Sequence, residues 1–256
     1  MHCLNLIEYR ETLKKAFYLH DKRDLTIDCV LEGTMCHVIT DCLDSPAVFL
    51  IKNGPFHILG GDPQHPNAAK IVASITCGSS IISTPIKWIS LVEEHLALSL
   101  EKYSRYSLDH KNISTAHLNE IIRSNAGIHK IQKIDVNLAN KIYLDSNFKY
   151  HFQNFTSDSD FLNRGVGYAV MAEEQIIAVA SSALVCDRGF EINIMILPKY
   201  RGYSLGKLLA ANLVNEILRL KKVPHWDAAN EISLNLATQL GYDFIEKHQA
   251  YRVNRI

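Results

Sequence analysis

Ile194-Met195-Ile196-Leu197-Pro198-Lys199-Tyr200-Arg201-Gly202-Tyr203-Ser204-Leu205-Gly206-Lys207 is the stretch on which the reading of this chain turns. An apolar strand runs into a short turn, and the turn opens a helix. Leu205, Leu208, Leu209, Leu213, Ile217 and Leu220 recur there at helical spacing and form an amphipathic face. At such a junction several backbone N–H groups lack helical partners and point the same way. With the positive end of the helix dipole they can close around an anionic oxygen. Gly202 and Gly206 permit the unusual dihedrals and the close approach a cradle needs. Ser204 contributes its amide, and its hydroxyl is placed to cap the helix. Taken alone, the segment also describes an ordinary helix start.

Two well-known phosphate loops fail here. A P-loop needs G-x-x-x-x-G-K-[ST]. Gly206-Lys207 would supply the later pair, but Arg201 occupies the first glycine position and Leu208 stands where Ser or Thr is required. A dinucleotide fingerprint needs G-x-G-x-x-G after the first strand of a parallel βαβ unit. The strands preceding this turn read instead as an antiparallel meander. Tyr168–Ala172, Ile176–Val185 and Phe190–Leu197 are joined by the polar turns Glu173-Glu174-Gln175 and Asp187-Arg188-Gly189. Downstream, Trp226-Asp227 precedes a last helix ending at Leu240, with Gly241 as its stop. Two strands are expected to finish the chain, about Asp243–Glu246 and Ala250–Val253.

With these neighbours the segment resembles the GNAT superfamily of N-acetyltransferases, whose motif R/Q-x-x-G-x-G/A follows a V-x-P-type strand end. Arg201-Gly202-Tyr203-Ser204-Leu205-Gly206 matches it except at Ser204, where the family usually has glycine. Many members then carry N-x-x-A-x-x-L-Y-x-x-x-G-F. That register falls here on Asn230, Ser233, Leu236, Ala237, Gly241 and Tyr242. Pro224-His225-Trp226-Asp227-Ala228-Ala229-Asn230 also looks like a bacterial subgroup with P-x-W-D-x-x-N and an extra N-terminal α/β region. The resemblance runs from about Ile128 to Val253 and is only general before that. It implies an α/β (α+β) fold with a mixed, largely antiparallel central sheet flanked by helices.

The resemblance further implies acyl transfer from acetyl-CoA, as cosubstrate, to a primary amine by direct attack. Arg201, Gly202, Tyr203, Ser204, Leu205, Gly206 and Lys207 would hold the pyrophosphate, and Asn230 would touch the pantetheine arm. Met195 N–H is the candidate for polarising the thioester carbonyl, and Ile196 would pair with the pantetheine amides. Glu191 is the candidate base, because strand alternation places it on one face with Asn193 and Met195. Its alternative is a strand-end carboxylate, solvated or paired with a cation such as Arg188. The tyrosine that many members use to protonate the leaving thiolate is replaced by Ala237. Tyr200, Tyr203 or Tyr242 could substitute, or the thiolate could leave unassisted, since an unperturbed thiol has a pKa of about 8.5. The alternative from another class is a non-catalytic CoA-binding or sensing module. His225 and Trp226 either shape the acceptor pocket or pack.

The N-terminal part reads as a mixed α/β module. A helix is expected over about Leu4–His20, strands over Cys36–Cys42, Ala47–Lys52, Phe56–Leu59 and Ser80–Ser83, and helices over Asn67–Ile75 and Ile86–Leu100. The polar run Tyr103–Asn125, ending in Asn125-Ala126-Gly127, sets the expected boundary: an N-terminal α/β extension over 1–125 and the acyltransferase domain over 126–256. The extension could line the acceptor pocket, mediate a homodimer or stabilise the sheet. The 256 residues carry 27 Lys+Arg and 27 Asp+Glu. That balance gives no electrostatic reason to expect a nucleic-acid or anionic-membrane partner. No signal peptide or spanning stretch is visible, so a cytoplasmic protein is expected. The six cysteines form no C-x-x-C pair. Cys29, Cys36 and Cys42 are spaced more widely than zinc ligands usually are, so no metal is expected.

Overall fold

The computed structural model describes residues 1–18, 25–83, 85–125 and 130–255. The chain forms two compact units, Met1–Arg105 with Lys247–Ile256, and Tyr106–Glu246. The division therefore falls about twenty residues before the expected 125/126 boundary, where Ala126 and Gly127 lie outside the described residues.

Unit 1 begins with β1 (His2–Cys3), α1 (Arg10–Phe17), α2 (Thr26–Glu32) and β2 (His37–Thr40). There follow β3 (Val48–Asn53), β4 (Phe56–Gly61), α3 (Ala68–Ala73), β5 (Ser80–Ile81), α4 (Ile86–Leu96) and β6 (Leu100–Asp109), within which the chain leaves the unit. The strands run β1-β2-β3-β4-β5, antiparallel except for β4 with β5. The end of the chain returns beside β5 through Tyr251↔Ile81. The continuous apolar run Val48–Ile51 is explained by burial on both faces. Val48 and Leu50 pack with Ile71, Trp88 and Val92 of α3 and α4, while Phe49 and Ile51 pack with Leu13, Phe17, Ile27 and Val30 of α1 and α2. The first helix is shorter than expected, with Leu19 and His20 outside the described residues. α2 is absent from the sequence reading, although Gly33 at φ 71° marks its end.

Unit 2 contains α5 (Thr115–Ser124), β7 (Ile131–Lys133), α6 (Val136–Leu144), α7 (Asp158–Arg164), β8 (Gly167–Ala172), β9 (Gln175–Val185) and β10 (Gly189–Ile196). It continues with α8 (Leu205–Arg219), β11 (Val223–His225), β12 (Asp227–Ala228), α9 (Glu231–Thr238) and the start of β13 (Asp243–Val253). Its main sheet runs β11-β10-β9-β8-β7, antiparallel throughout except for β10 with β11. The mixed, largely antiparallel sheet is thus present. One face packs on α8 through Leu209, Leu213 and Ile217 and on α5 through Leu118 and Ile121. The Tyr103–Asn125 run, read as a polar connector, in fact holds most of β6 and all of α5, whose Ser114 side chain accepts from His117 N–H as an N-cap. The two closing strands expected are one continuous strand, β13. Among the described residues no helix is long and apolar enough to cross a membrane.

Candidate active site

β10 alternates cleanly. Phe190 and Ile192 are buried in the unit 2 core, with Ile194 and Ile196 packed against it, so Glu191, Asn193 and Met195 share the opposite face as expected. Asn193 lies opposite Ser181 of β9, whose hydroxyl meets Nδ1 of the buried His151 at 2.7 Å. On its other side β10 pairs with β11 only through Gly189↔Val223, Phe190↔Pro224 and Glu191↔His225. Beyond His225 the chain turns away, and Asp227 and Ala228 pair instead with Ser107 and Tyr106 of β6. The last five residues of β10 therefore line an open wedge.

Register decides which backbone groups face that wedge. Leu197 N–H donates to the carbonyl of Ile177 at 2.9 Å. Because antiparallel pairs alternate between hydrogen-bonded and non-bonded, Met195 and Val179 form a bonded pair, two residues back on each strand. Met195 N–H thus faces β9, which corrects the expectation that it polarises a thioester. Ile194 and Ile196 present their N–H and C=O groups to the wedge. The Ile196 carbonyl accepts from Arg201 Nε at 3.3 Å.

At the far end of β10 a 3-10 turn over Pro198–Tyr200 leads to Gly202 at φ 88° and Ser204 at φ 59°, and α8 begins at Leu205. Leu208 N–H makes the first helical bond, to Ser204 C=O at 3.1 Å. None of the six consecutive N–H groups of 202–207 donates to an acceptor among the described residues. Four of these are what any helix start leaves open. The left-handed dihedrals extend the array to Gly202 and Tyr203. Ser204 adds no side-chain cap. Gly206 is where the helix meets the strand: a Cβ there would lie 3.2 Å from Ile196 Cδ1 and 3.4 Å from Leu236 Cδ2. Arg201, Gly202, Tyr203 and Ser204 are exposed, so an anion can reach the array from solvent.

Glu191 is not a solvated strand end. Its side chain is 15 % exposed, and one carboxylate oxygen contacts Nδ1 of His225, itself 11 % exposed. The other oxygen accepts from Asp227 N–H at 3.4 Å. Asn230, expected at a pantetheine arm, caps α9 by accepting from Ser233 N–H at 2.9 Å. Trp226 donates from Nε1 to Ser233 Oγ at 3.0 Å and packs edge-on against Tyr242. Ala237 is fully buried. Among the described residues no three His, Cys, Asp or Glu side chains gather as metal ligands would.

A family model described as GNAT acetyltransferase matches residues 15–251. The chain belongs to the GNAT acetyltransferase family. A crystal structure of a GCN5-related N-acetyltransferase-like protein from Streptococcus suis 89/1591 is 26 % identical, with a TM-score of 0.85. It covers 96 % of this chain and 99 % of its own. A tandem GNAT protein from the clavulanic acid biosynthesis pathway shares the fold at 10 % identity and a TM-score of 0.56, over 97 % of this chain and 96 % of its own. The uncharacterized N-acetyltransferase YdfB of Bacillus subtilis is 27 % identical over 107 residues, and this alignment spans 41 % of each chain.

For this GNAT acetyltransferase the sequence singled out the 201–207 turn, Glu191 and His225, but neither the orientation of the Ile194 N–H nor the contact between His225 and Glu191. Ile194 escaped because the side a strand amide faces depends on pairing register, which leaves no mark in composition. His225 carried a signal in its place beside Trp226-Asp227, but its contact with Glu191 spans 34 positions and is made by strand pairing.

Proposed function

We propose that unit 2 binds acetyl-CoA and transfers its acetyl group to a primary amine by direct attack. The observation that carries this reading is the array of six unengaged amides over 202–207, at the end of a strand whose neighbour has diverged. Anionic pyrophosphate oxygens suit such an array, which the dipole of the 15-residue α8 reinforces. From there the pantetheine arm follows β10, pairing with Ile196 and then Ile194. Glu191 lies about 16 Å back along the strand, at roughly 3.3 Å per residue, so the thioester comes to the closed end of the wedge. Ile194 N–H then meets the thioester carbonyl, where negative charge develops during attack. Glu191 drives removal of the amine proton.

With Ala237 buried and carrying no proton, and Tyr242 engaged elsewhere, the thiolate leaves unassisted. The test is to incubate the protein with acetyl-CoA and a panel of amines while following free thiol. Amine-dependent thiol release that Glu191→Gln sharply lowers supports the enzyme. Tight CoA binding without turnover on a broad panel would favour a non-catalytic binding module.

A further inference from the structure

The Glu191 carboxylate is held at both ends, by Nδ1 of His225 and by Asp227 N–H. An acceptor fixed in this way orients its partner more readily than it collects a proton from a third group. Against a carboxylate the imidazole carries its proton on Nδ1, which leaves the basic lone pair on Nε2. His225 is also the last β11 residue paired with β10. The ring therefore stands at the closed end of the wedge, where the acyl group is placed. We propose that His225 is the general base of the acetyl transfer, receiving the amine proton on Nε2, with Glu191 as the residue that positions it. This rests on the acetyltransferase reading above and names the group that meets the amine.

The step balances. The amine lone pair forms the N–C bond at the thioester carbonyl carbon, and the amine proton passes to Nε2 of His225. The C–S bonding pair leaves on sulfur as thiolate, and the imidazolium returns its proton to solvent. A carboxylate against Nδ1 stabilises the imidazolium formed on the way. The other charges around the ring come from several elements. Asp227 on β12 meets the same Glu191 carboxylate through its backbone N–H. His110 after β6 opposes a further positive charge, and its pKa is lowered, chiefly by burial and partly by the charge of His225, with a smaller contribution from Arg188 before β10. Asp109 beside His110 partly offsets that effect. Tyr242 on β13 is neutral.

The test has two parts. Long-range 15N–1H spectra of the imidazoles need no acceptor, so they decide the arrangement even where no amine in the panel is turned over. His225 is expected as the Nδ1–H tautomer at neutral pH, and Glu191→Gln is expected to abolish that preference. The Nε2–H tautomer in the wild type overturns the proposal. In turnover, His225→Gln is expected to lower kcat about 10²- to 10⁴-fold, to leave acetyl-CoA binding within about twofold, and to erase the acidic limb of the pH profile. Glu191→Gln should instead keep that limb and move it to lower pH, because the carboxylate stabilising the protonated ring is gone. A His225→Gln enzyme with the wild-type kcat and pH profile overturns the proposal while leaving the acetyltransferase reading intact.

Discussion

The phenolic O–H of Tyr242 donates to the carbonyl of Pro224 at 2.7 Å, one residue before His225. Both residues are buried, so this bond holds β11 at the point where it leaves β10. Burial, and then the charge of Glu191, hold the phenol well above its ordinary pKa. A proton kept that firmly and already shared with a carbonyl is a poor one to hand to a leaving thiolate. The position reads as an acid candidate in sequence and acts as a strut in the fold. Tyr242→Phe is expected to cost about 1–2 kcal/mol of unfolding free energy, from the orphaned buried carbonyl, with thiol release within about threefold of wild type. A hundredfold loss of kcat at unchanged stability would restore Tyr242 as the acid.

Ser204 occupies a left-handed position at φ 59°, where the family usually has glycine. Ser204→Gly relieves that strain and is expected to raise stability by about 0.5–1 kcal/mol, with CoA affinity kept or improved. Gly206→Val does the reverse. Its branched Cβ enters the contact with Ile196 and Leu236 and pushes the start of α8 off the strand end. Isothermal titration with CoA should show a Kd raised at least about tenfold, with the circular dichroism spectrum unchanged. Unaltered affinity would mean that the pyrophosphate binds elsewhere.

Backbone register gives a test that side-chain substitution cannot. Replacing residue 194 by its α-hydroxy analogue removes one N–H that faces the wedge and leaves the ladder to β9 intact. Losing a donor to the developing oxyanion is expected to lower kcat about 10²- to 10³-fold. The same replacement at Met195 removes a ladder bond to Val179 instead. It should cost about 1 kcal/mol of stability with a much smaller effect on kcat. If the two positions exchanged their effects, the register argument would fail.

The parts of this chain legible in sequence are those whose signal is local. The Leu spacing of α8, the polar turns of the meander and the glycines at 202 and 206 each announce themselves within a few residues. α5 did not, because its core face is only Leu118 and Ile121 within a surface of Asn, His, Glu and Arg. β13 was divided in two across the polar Lys247-His248-Gln249, whereas His248 is in fact buried within a continuous strand. The wedge itself follows from a choice of partner. Ala228 joins Tyr106 on a strand more than a hundred residues earlier, and no window around either residue records that choice.

Stability should carry a separate signature at low pH. His151 is fully buried against Phe148, and burial lowers its pKa from 6.5 to about 3. Its Nδ1 meets Ser181 Oγ, and its Nε2 has no partner among the described residues. The folded pKa lies below the unfolded one, so between pH 6.5 and about 3 the unfolded chain binds a proton that the native state refuses. Stability is therefore complete above pH 6.5 and falls as the pH drops through that window, by about 1.4 kcal/mol per pH unit. Urea unfolding at pH 7.0 and 4.5 is expected to show a loss of about 2.5 kcal/mol from this residue. His151→Gln, which cannot titrate, should start less stable at pH 7.0 but lose about 2.5 kcal/mol less on acidification. Parallel pH dependences in the two proteins would show that the buried imidazole takes up its proton without unfolding.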